Sequence, residues 1–341
     1  MKKHAEHFSI AAYLFFGLTL AGVMLLCVCA GSVALPLGDT AAVLWNRLWG
    51  LEIPAGTAAN IILNVRLPRV LNVALCGAAL SLCGAAMQGL LQNPLADGST
   101  LGVSSGASLG AVIALMLGLP GGSGGVMALA MGFAFLSLIL ILGLAYALDR
   151  SLSSTSIILI GVIYSMFVSS ILTLMISFSG EKLRTITFWT MGSLSGTNYG
   201  HGGILALALL LCGGVILAHG RELNAFAMGE SNARHIGVSI RRVRLTILIA
   251  VSVLIGVCVS IAGNIGFVGL VIPHMTRMMA GPNHRRLLPG SMVWGAVFLL
   301  LCDLLARTVL SPIELNIGVV TSMVGAAAFV VIFYRAGKGR T

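Results

Sequence analysis

Few residues in this chain could do chemistry, and they fall into four groups. Arginines flank a Leu-Pro pair in Arg66-Leu67-Pro68-Arg69, and another arginine closes Asp303-Leu304-Leu305-Ala306-Arg307. The guanidinium fork can hold a carboxylate bidentately, and arginines at a helix start commonly serve as interfacial anchors. Asp303 lies one helical turn before Arg307 and can hold it through an i,i+4 pair. Asn93-Pro94-Leu95-Ala96 reads as a turn between apolar runs, and Ser153-Ser154-Thr155-Ser156 as a small polar stretch. His274 follows Pro273 with no carboxylate or cysteine beside it, which is a poor metal site, and reads as a helix-end residue fixing a kink. The seven cysteines all sit inside apolar runs and read as small packing residues, without a disulfide framework or metal site.

Beyond these four lies the stretch from Gly220 to Arg244, GRELNAFAMGESNARHIGVSIRRVR. It carries five arginines against Glu222 and Glu230 between nearly continuous apolar sequence. It is too polar to cross a bilayer and too long for a simple turn, and long ordered connections are usually functional. Leu223, Phe226 and Ala227 fall at helical spacing, and Gly237 punctuates the following apolar positions. The pattern predicts two short amphipathic helices on the cytoplasmic face of a membrane, offering a surface to a partner, against the simpler reading of a solvated basic loop. Glu230, near the first turn of the second helix, would complement its dipole.

The elements that position these groups follow from composition. Hydrophobic residues make up 58% of the 341 and charged residues 9%, with a mean hydropathy of +1.03. A soluble domain has about a quarter of its residues charged. The apolar runs are continuous rather than alternating, so the chain is expected to be an all-α polytopic membrane protein and not a barrel. Runs long enough to span, or nearly so, fall at about 9–32, 66–91, 100–118, 125–148, 155–178, 200–219, 244–262, 267–280, 288–309 and 315–335. That makes about ten transmembrane helices in a single transmembrane domain over 1–341, with 220–244 as a cytoplasmic loop. Trp45 and Trp49 mark an interfacial interval, and 179–199 predicts a short surface helix.

With both termini inside, the cytoplasmic side collects Lys2, Lys3, Arg150, Arg221, Arg234, Arg241, Arg242, Arg244, Arg277, Arg285, Arg286, Arg335, Lys338 and Arg340. The outer side keeps Arg47, Arg66, Arg69, Lys182, Arg184 and Arg307. Fourteen against six favours this orientation, which also accounts for the formal charge of +10 without nucleic acid. Gly77, Gly84 and Gly89, seven and five residues apart, then Gly102, Gly106 and Gly110 at four-residue spacing, predict close helix packing with no wide permanent pore.

Six stretches in order carry a resemblance. They are Arg66–Arg69, QGLLQNPLADGSTLGVSSGA from Gln88, Trp189–Leu194, the Gly229–Gly237 loop, AGNIGFVGLVIPHMTR with GPNHRRLLP from Ala262, and Asp303–Arg307 leading to Glu314–Thr321. Together they resemble the FecCD-type permeases, the membrane subunits of ABC importers for ferric siderophores, haem and cobalamin. The resemblance covers essentially the whole chain. It implies ten spans in a FecCD/cobalamin-permease-like bundle, a second permease subunit (a copy or a paralogue), two ATP-binding-cassette ATPase subunits and an extracytoplasmic substrate-binding protein. It places the chain in a bacterial cytoplasmic membrane. It implies docking to the binding protein at Arg66, Arg69 and Arg307, ATPase coupling at Gly229, Glu230, Ala233 and Gly237, and a cytoplasmic gate at Asn93, Leu95, Thr155 and Ser156. Ferric siderophore is the expected cargo, with haem or cobalamin as alternatives.

No cofactor is expected in this chain. Gly337-Lys338-Gly339 lacks the upstream glycine and the Ser/Thr of a P-loop, so ATP and magnesium would belong to the partner ATPase. The chain is therefore not read as an enzyme; no nucleophile with a base and no metal cluster is visible. An ion-coupled secondary transporter is the other transport reading, and Asp303 would be its mid-membrane carboxylate. Gly98, Asn316 and Ala327 stand where the family usually has prolines, which leaves the bend of the tenth helix open.

Overall fold

The computed structural model describes residues 7–31, 33, 35–52, 56–119, 123–150 and 153–338. Lys2, Lys3 and Arg340, counted above for orientation, lie outside them. Among the described residues there are helices and no strands. In chain order they are α1 (Ile10–Cys29), α2 (Leu37–Trp49), α3 (Thr57–Ile61), α4 (Leu67–Leu90), α5 (Val103–Leu117), α6 (Ser123–Leu148), α7 (Ser154–Ser177) and α8 (Leu183–Thr190). There follow α9 (Tyr199–Ala208), α10 (Gly214–Ala218), α11 (Gly220–Ala227), α12 (Glu230–His235), α13 (Ile240–Ala262), α14 (Val268–Ala280), α15 (His284–Thr308) and α16 (Ile317–Lys338).

One π-helical turn, Ile62–Arg66, joins α3 to α4 into a continuous segment from Thr57 to Leu90, and another, Leu209–Gly213, joins α9 to α10. Counted this way, ten helical segments fall on the ten apolar runs. The predicted surface helix is α8. Two boundaries differ from expectation. The second span begins at Thr57 rather than Arg66, because the polar residues Asn60 and Asn64 continue the helix. Pro68, one residue into α4, lacks the N–H for an i−4 bond, and the wide π turn before it accommodates that loss. The seventh span begins at Ile240, so Arg241, Arg242 and Arg244 belong to α13 and not to the loop.

Helix α4 is the centre of the bundle. Twenty of its 24 residues are buried, and α13, α14 and α15 pack against it. Without water to drive apolar faces together, spanning helices associate by close packing of small residues. A Cβ on Gly84 would lie 2.5 Å from the Cα of Gly269 in α14, and one on Gly77 would lie 2.8 Å from the Cβ of Leu299 in α15. Gly106 and Gly110 set α5 equally close to Phe133 and Leu129 of α6. By contrast α1, α6 and α7 leave much of their apolar surface exposed, as a lipid-facing ring does.

Pro273 interrupts α14, and its missing N–H cannot bond the carbonyl of Gly269 four residues back. The buried Gln88 of α4 answers this, its Nε2 donating to the carbonyls of Leu270 at 3.1 Å and Gly269 at 3.4 Å. His274, expected to fix the kink at a helix end, is instead in the middle of α14, with its ring 6.4 Å from that of Phe329. The tenth span, without its proline, runs as one helix from Ile317 to Lys338. Asn316 before it donates to the carbonyl of Phe188 at 3.3 Å. At Gly98 the side chain of Ile255 occupies the space a larger residue would need.

Candidate functional sites at the two ends of the bundle

The start of α4 and the end of α15 come together at one end of the bundle, and all three motif arginines converge there. Arg69 Nη2 lies 2.9 Å from Asp303 Oδ1, and its Nη1 lies 2.8 Å from Glu314 Oε2. Arg307 Nε lies 2.9 Å from Asp303 Oδ2, the i,i+4 pair the spacing allowed. Arg307 also donates to the carbonyls of Cys27 and Ala30. Arg66 donates to the carbonyls of Val28, Cys29 and Val33. Two guanidiniums therefore cap the C-terminal carbonyls of α1, which a helix end leaves without partners of its own.

All three arginines assigned to docking are tied into the chain itself. Each is buried, at 4%, 6% and 3% exposure for Arg66, Arg69 and Arg307, and each is engaged inside the chain. Asp303, fully buried, is the hub of the cluster, and the 32%-exposed side chain of Glu314 is its outermost member. The sequence hid this because Glu314 is 245 positions from Arg69 and reaches it only through the fold.

At the opposite end, the Gly220–Arg244 stretch forms the two short helices α11 and α12. Helix α11 is anchored by Leu223 and Phe226, both fully buried. Gln92, just past α4, donates to the carbonyl of Phe226 at 2.6 Å. Asn224 bridges to the start of α15, donating to Asn283 Oδ1 at 2.9 Å and accepting from the backbone N–H of His284 at 2.7 Å. Gly229 begins α12 with a φ of +99°, a left-handed-side conformation that glycine adopts readily. Ala233 is buried under α12, and Gly237 (φ +89°) turns the chain toward α13. Outward, the pair presents Met228 and Ile236, 58% and 63% exposed, beside Arg221 and Arg234.

Glu230 does more than face a helix dipole. Its carboxylate is ion-paired with Arg244, which has no exposed surface at all. The Arg244 guanidinium also lies 5.8 Å from the centre of the Phe226 ring and 3.4 Å from Ser154 Oγ. Arg244, Asn224 and Gln92 were the functional residues missed in the sequence. For Arg244 the available signal was its phase: of the three arginines that open α13, it alone falls in step with the buried Ile240, Val243 and Ile247.

Asn93, Leu95, Thr155 and Ser156, the residues that the resemblance assigns to a gate, lie at this same end. Asn93 Oδ1 accepts from the backbone N–H of Leu95 at 2.9 Å, a short Asx turn that leaves Leu95 exposed. Ser153 caps α7, accepting from Ser156 N, and the two hydroxyls lie 2.9 Å apart. Asp149 Oδ2 accepts from Ser153 N at 3.2 Å and Ser156 Oγ at 3.3 Å, while Thr155 is exposed. Between the Asn93–Gly98 segment and the Asn264–Phe267 break lies a cavity of about 350 Å³, lined by Leu95, Asp97, Ser104, Ile255 and Asn264 among others. Irregular backbone at membrane depth is tolerated where it borders such a cavity or is buried in protein.

A helical bundle of ten spans, with a pair of short helices at one end and helix breaks inside, defines the class as a multi-pass membrane protein. The chain matches the FecCD transport family over residues 18–335 and belongs to that family, making it an ABC importer permease of the FecCD type. It is 44% identical to the uncharacterized ABC transporter permease protein YvrB of Bacillus subtilis, over 96% of this chain and 95% of the relative. It is 40% identical to the vitamin B12 import system permease protein BtuC of Citrobacter koseri, over 80% and 83%. It is 35% identical to the molybdate import system permease protein MolB of Haemophilus influenzae, over 95% and 96%. A solved metal-chelate-type ABC transporter in an inward-facing conformation aligns with a TM-score of 0.84 and 31% identity, covering 96% of this chain and all of that one.

Proposed function

We propose that this chain moves a metal chelate inward across a bacterial cytoplasmic membrane by alternating access, driven by ATP hydrolysed on a separate subunit. The observation that carries the reading is the α11–α12 pair, fixed from beneath by Phe226, Ala233 and Arg244, with apolar and cationic side chains turned outward. That face would receive the ATPase. A second permease, a copy or a paralogue, would complete the pathway, and ATP and magnesium would be held by the ATPase. The chain is one permease domain and no enzyme.

The α11–α12 end would be cytoplasmic, with both termini on that side. Arg150, Arg221, Arg234, Arg241, Arg242, Arg277, Arg285 and Arg286 cluster there with Arg244, against the six basic residues of the other end, which supports this orientation. A substrate-binding protein would dock on the outer end. Arg66, Arg69 and Arg307 would serve it by holding that rim in shape, with Glu314 as the part-exposed ligand that a partner's charge could compete with. Asn93, Leu95, Thr155 and Ser156 would form the inner gate.

Ferric siderophore is the cargo we favour, with cobalamin or haem as alternatives; the similarity to a metal-chelate-type transporter supports the class, while the likeness to MolB keeps an oxyanion within the test. An ion-coupled carrier would need Asp303 for its coupling ion, and the two arginines bound to that carboxylate speak against it. Proteoliposomes containing the chain, its ATPase and its binding protein test the proposal. Uptake of a radio-iron siderophore with ATP as the sole energy source is expected, with cobalamin, haem and molybdate as parallel arms. Uptake driven by a proton or sodium gradient alone would overturn it.

A further inference from the structure

We infer that Arg244 is a mechanical relay joining the α11–α12 pair to the gate end of α7. The inference rests on the proposal that α11–α12 receives the ATPase, and it concerns a residue that neither the motifs nor the family resemblance singles out. Four elements meet on this one guanidinium. Glu230 comes from α12, the Phe226 ring from α11, Arg244 itself from α13, and Ser154 Oγ from the first residue of α7.

The physical case begins with cost. A cation with no exposed surface at a membrane-protein helix end is expensive to bury unless it is paired and hydrogen-bonded. Arginine is also the side chain whose rigid planar fork fixes several acceptors at set angles, whereas lysine is a flexible point charge. A contact meant only to neutralise Glu230 would leave that carboxylate at the surface with any of the neighbouring exposed arginines. Instead the carboxylate of a partly exposed helix reaches inward to a buried partner that also touches α7.

The receiving end is built to move as a unit. Ser153 caps α7, Ser156 bonds Ser153, and Asp149 holds both. Ser154 lies inside this knot and directly before Thr155. A displacement of α12 carried through Glu230 to Arg244 would therefore reach the whole N-terminal turn of α7 and not one side chain. Among the described residues, the contact that bridges Arg244 to α7 is the hydrogen bond to Ser154 Oγ at 3.4 Å. It can be removed without unpairing the buried charge.

The test uses the full complex of chain and ATPase in nanodiscs and reads amide hydrogen exchange with ADP and with Mg·ATP. In the unmodified complex, segments 220–237 and 149–157 should both change protection between the two nucleotide states. With Ser154→Ala, the change at 220–237 should persist and the change at 149–157 should be lost. Arg244→Lys, which keeps the charge but not the fork, should give the same uncoupling. Response of 149–157 in both variants to the unmodified extent would overturn the relay, as would absence of response there in the unmodified complex. Absence of response at 220–237 in the unmodified complex would instead overturn the coupling-surface reading itself.

Discussion

Asp303→Asn should be among the most damaging single-atom-scale changes in the chain. The carboxylate is fully buried and pairs with Arg69 through Oδ1 and with Arg307 through Oδ2, each at 2.9 Å. Removing one partner of a buried ion pair costs about 3–5 kcal/mol because the other charge is left uncompensated. Here two guanidiniums lose the same carboxylate. Arg69 retains Glu314 and Arg307 retains backbone carbonyls, so we expect the upper end of that range, about 5 kcal/mol, rather than double it. With an unfolding entropy of about 2.1 cal/mol/K per residue, this lowers the melting temperature of a 341-residue chain by roughly 7 °C.

Glu314→Gln is the internal control. Its side chain is 32% exposed and Arg69 keeps Asp303, so a loss of about 0.5–1 kcal/mol, near 1 °C, is expected. Thermal unfolding in one detergent, followed by near-UV circular dichroism, measures both. Adding Arg307→Met to Asp303→Asn should recover part of the loss by removing one uncompensated cation. Equal shifts for the two single variants, or a shift under about 1 °C for Asp303→Asn, would refute the hub assignment.

Gly84→Ala should reduce the melting temperature by several degrees, since its Cβ would meet Gly269 backbone and over-packing costs about 1–3 kcal/mol; Gly269→Ala, whose Cβ meets Leu80 O at 3.0 Å, should be milder. An equal effect of the two would argue against a backbone-to-backbone seam. Deleting residues 230–237 should abolish co-purification of the ATPase, and retention of the ATPase would remove α11–α12 from the docking surface. Asn93→Ala, which loses the bond to Leu95 N, should raise cargo leak in the absence of ATP several-fold in proteoliposomes, and an unchanged leak would exclude this turn from the seal.

The span count and the two-helix insert were legible in the sequence because both depend on local patterns. A bilayer forces backbone polar groups into helices, so continuous apolar runs alone located the ten segments. Leu223 and Phe226, at three-residue spacing, marked the buried face of α11 for the same reason. Family resemblance added the roles expected at these places, and it did so by motif and order.

What the sequence could not contain was pairing across the bundle. Nothing local distinguishes an arginine that faces a partner from one that is spent internally, and Arg69 joins Asp303 and Glu314 only because α4, α15 and the segment after α15 meet at one end. The second span starts nine residues before its apolar run, because Asn60 and Asn64 continue the helix into the π turn before Pro68, and hydropathy does not register such polar helical residues. Gln88 opens one of the stretches that carry the resemblance, yet its reason lies 181 positions away in the carbonyl that Pro273 frees. Apolar periodicity is a property of one helix with its solvent, and it determined the elements. The partners of each buried polar group depend on which helices lie side by side, and only the tertiary structure decided those.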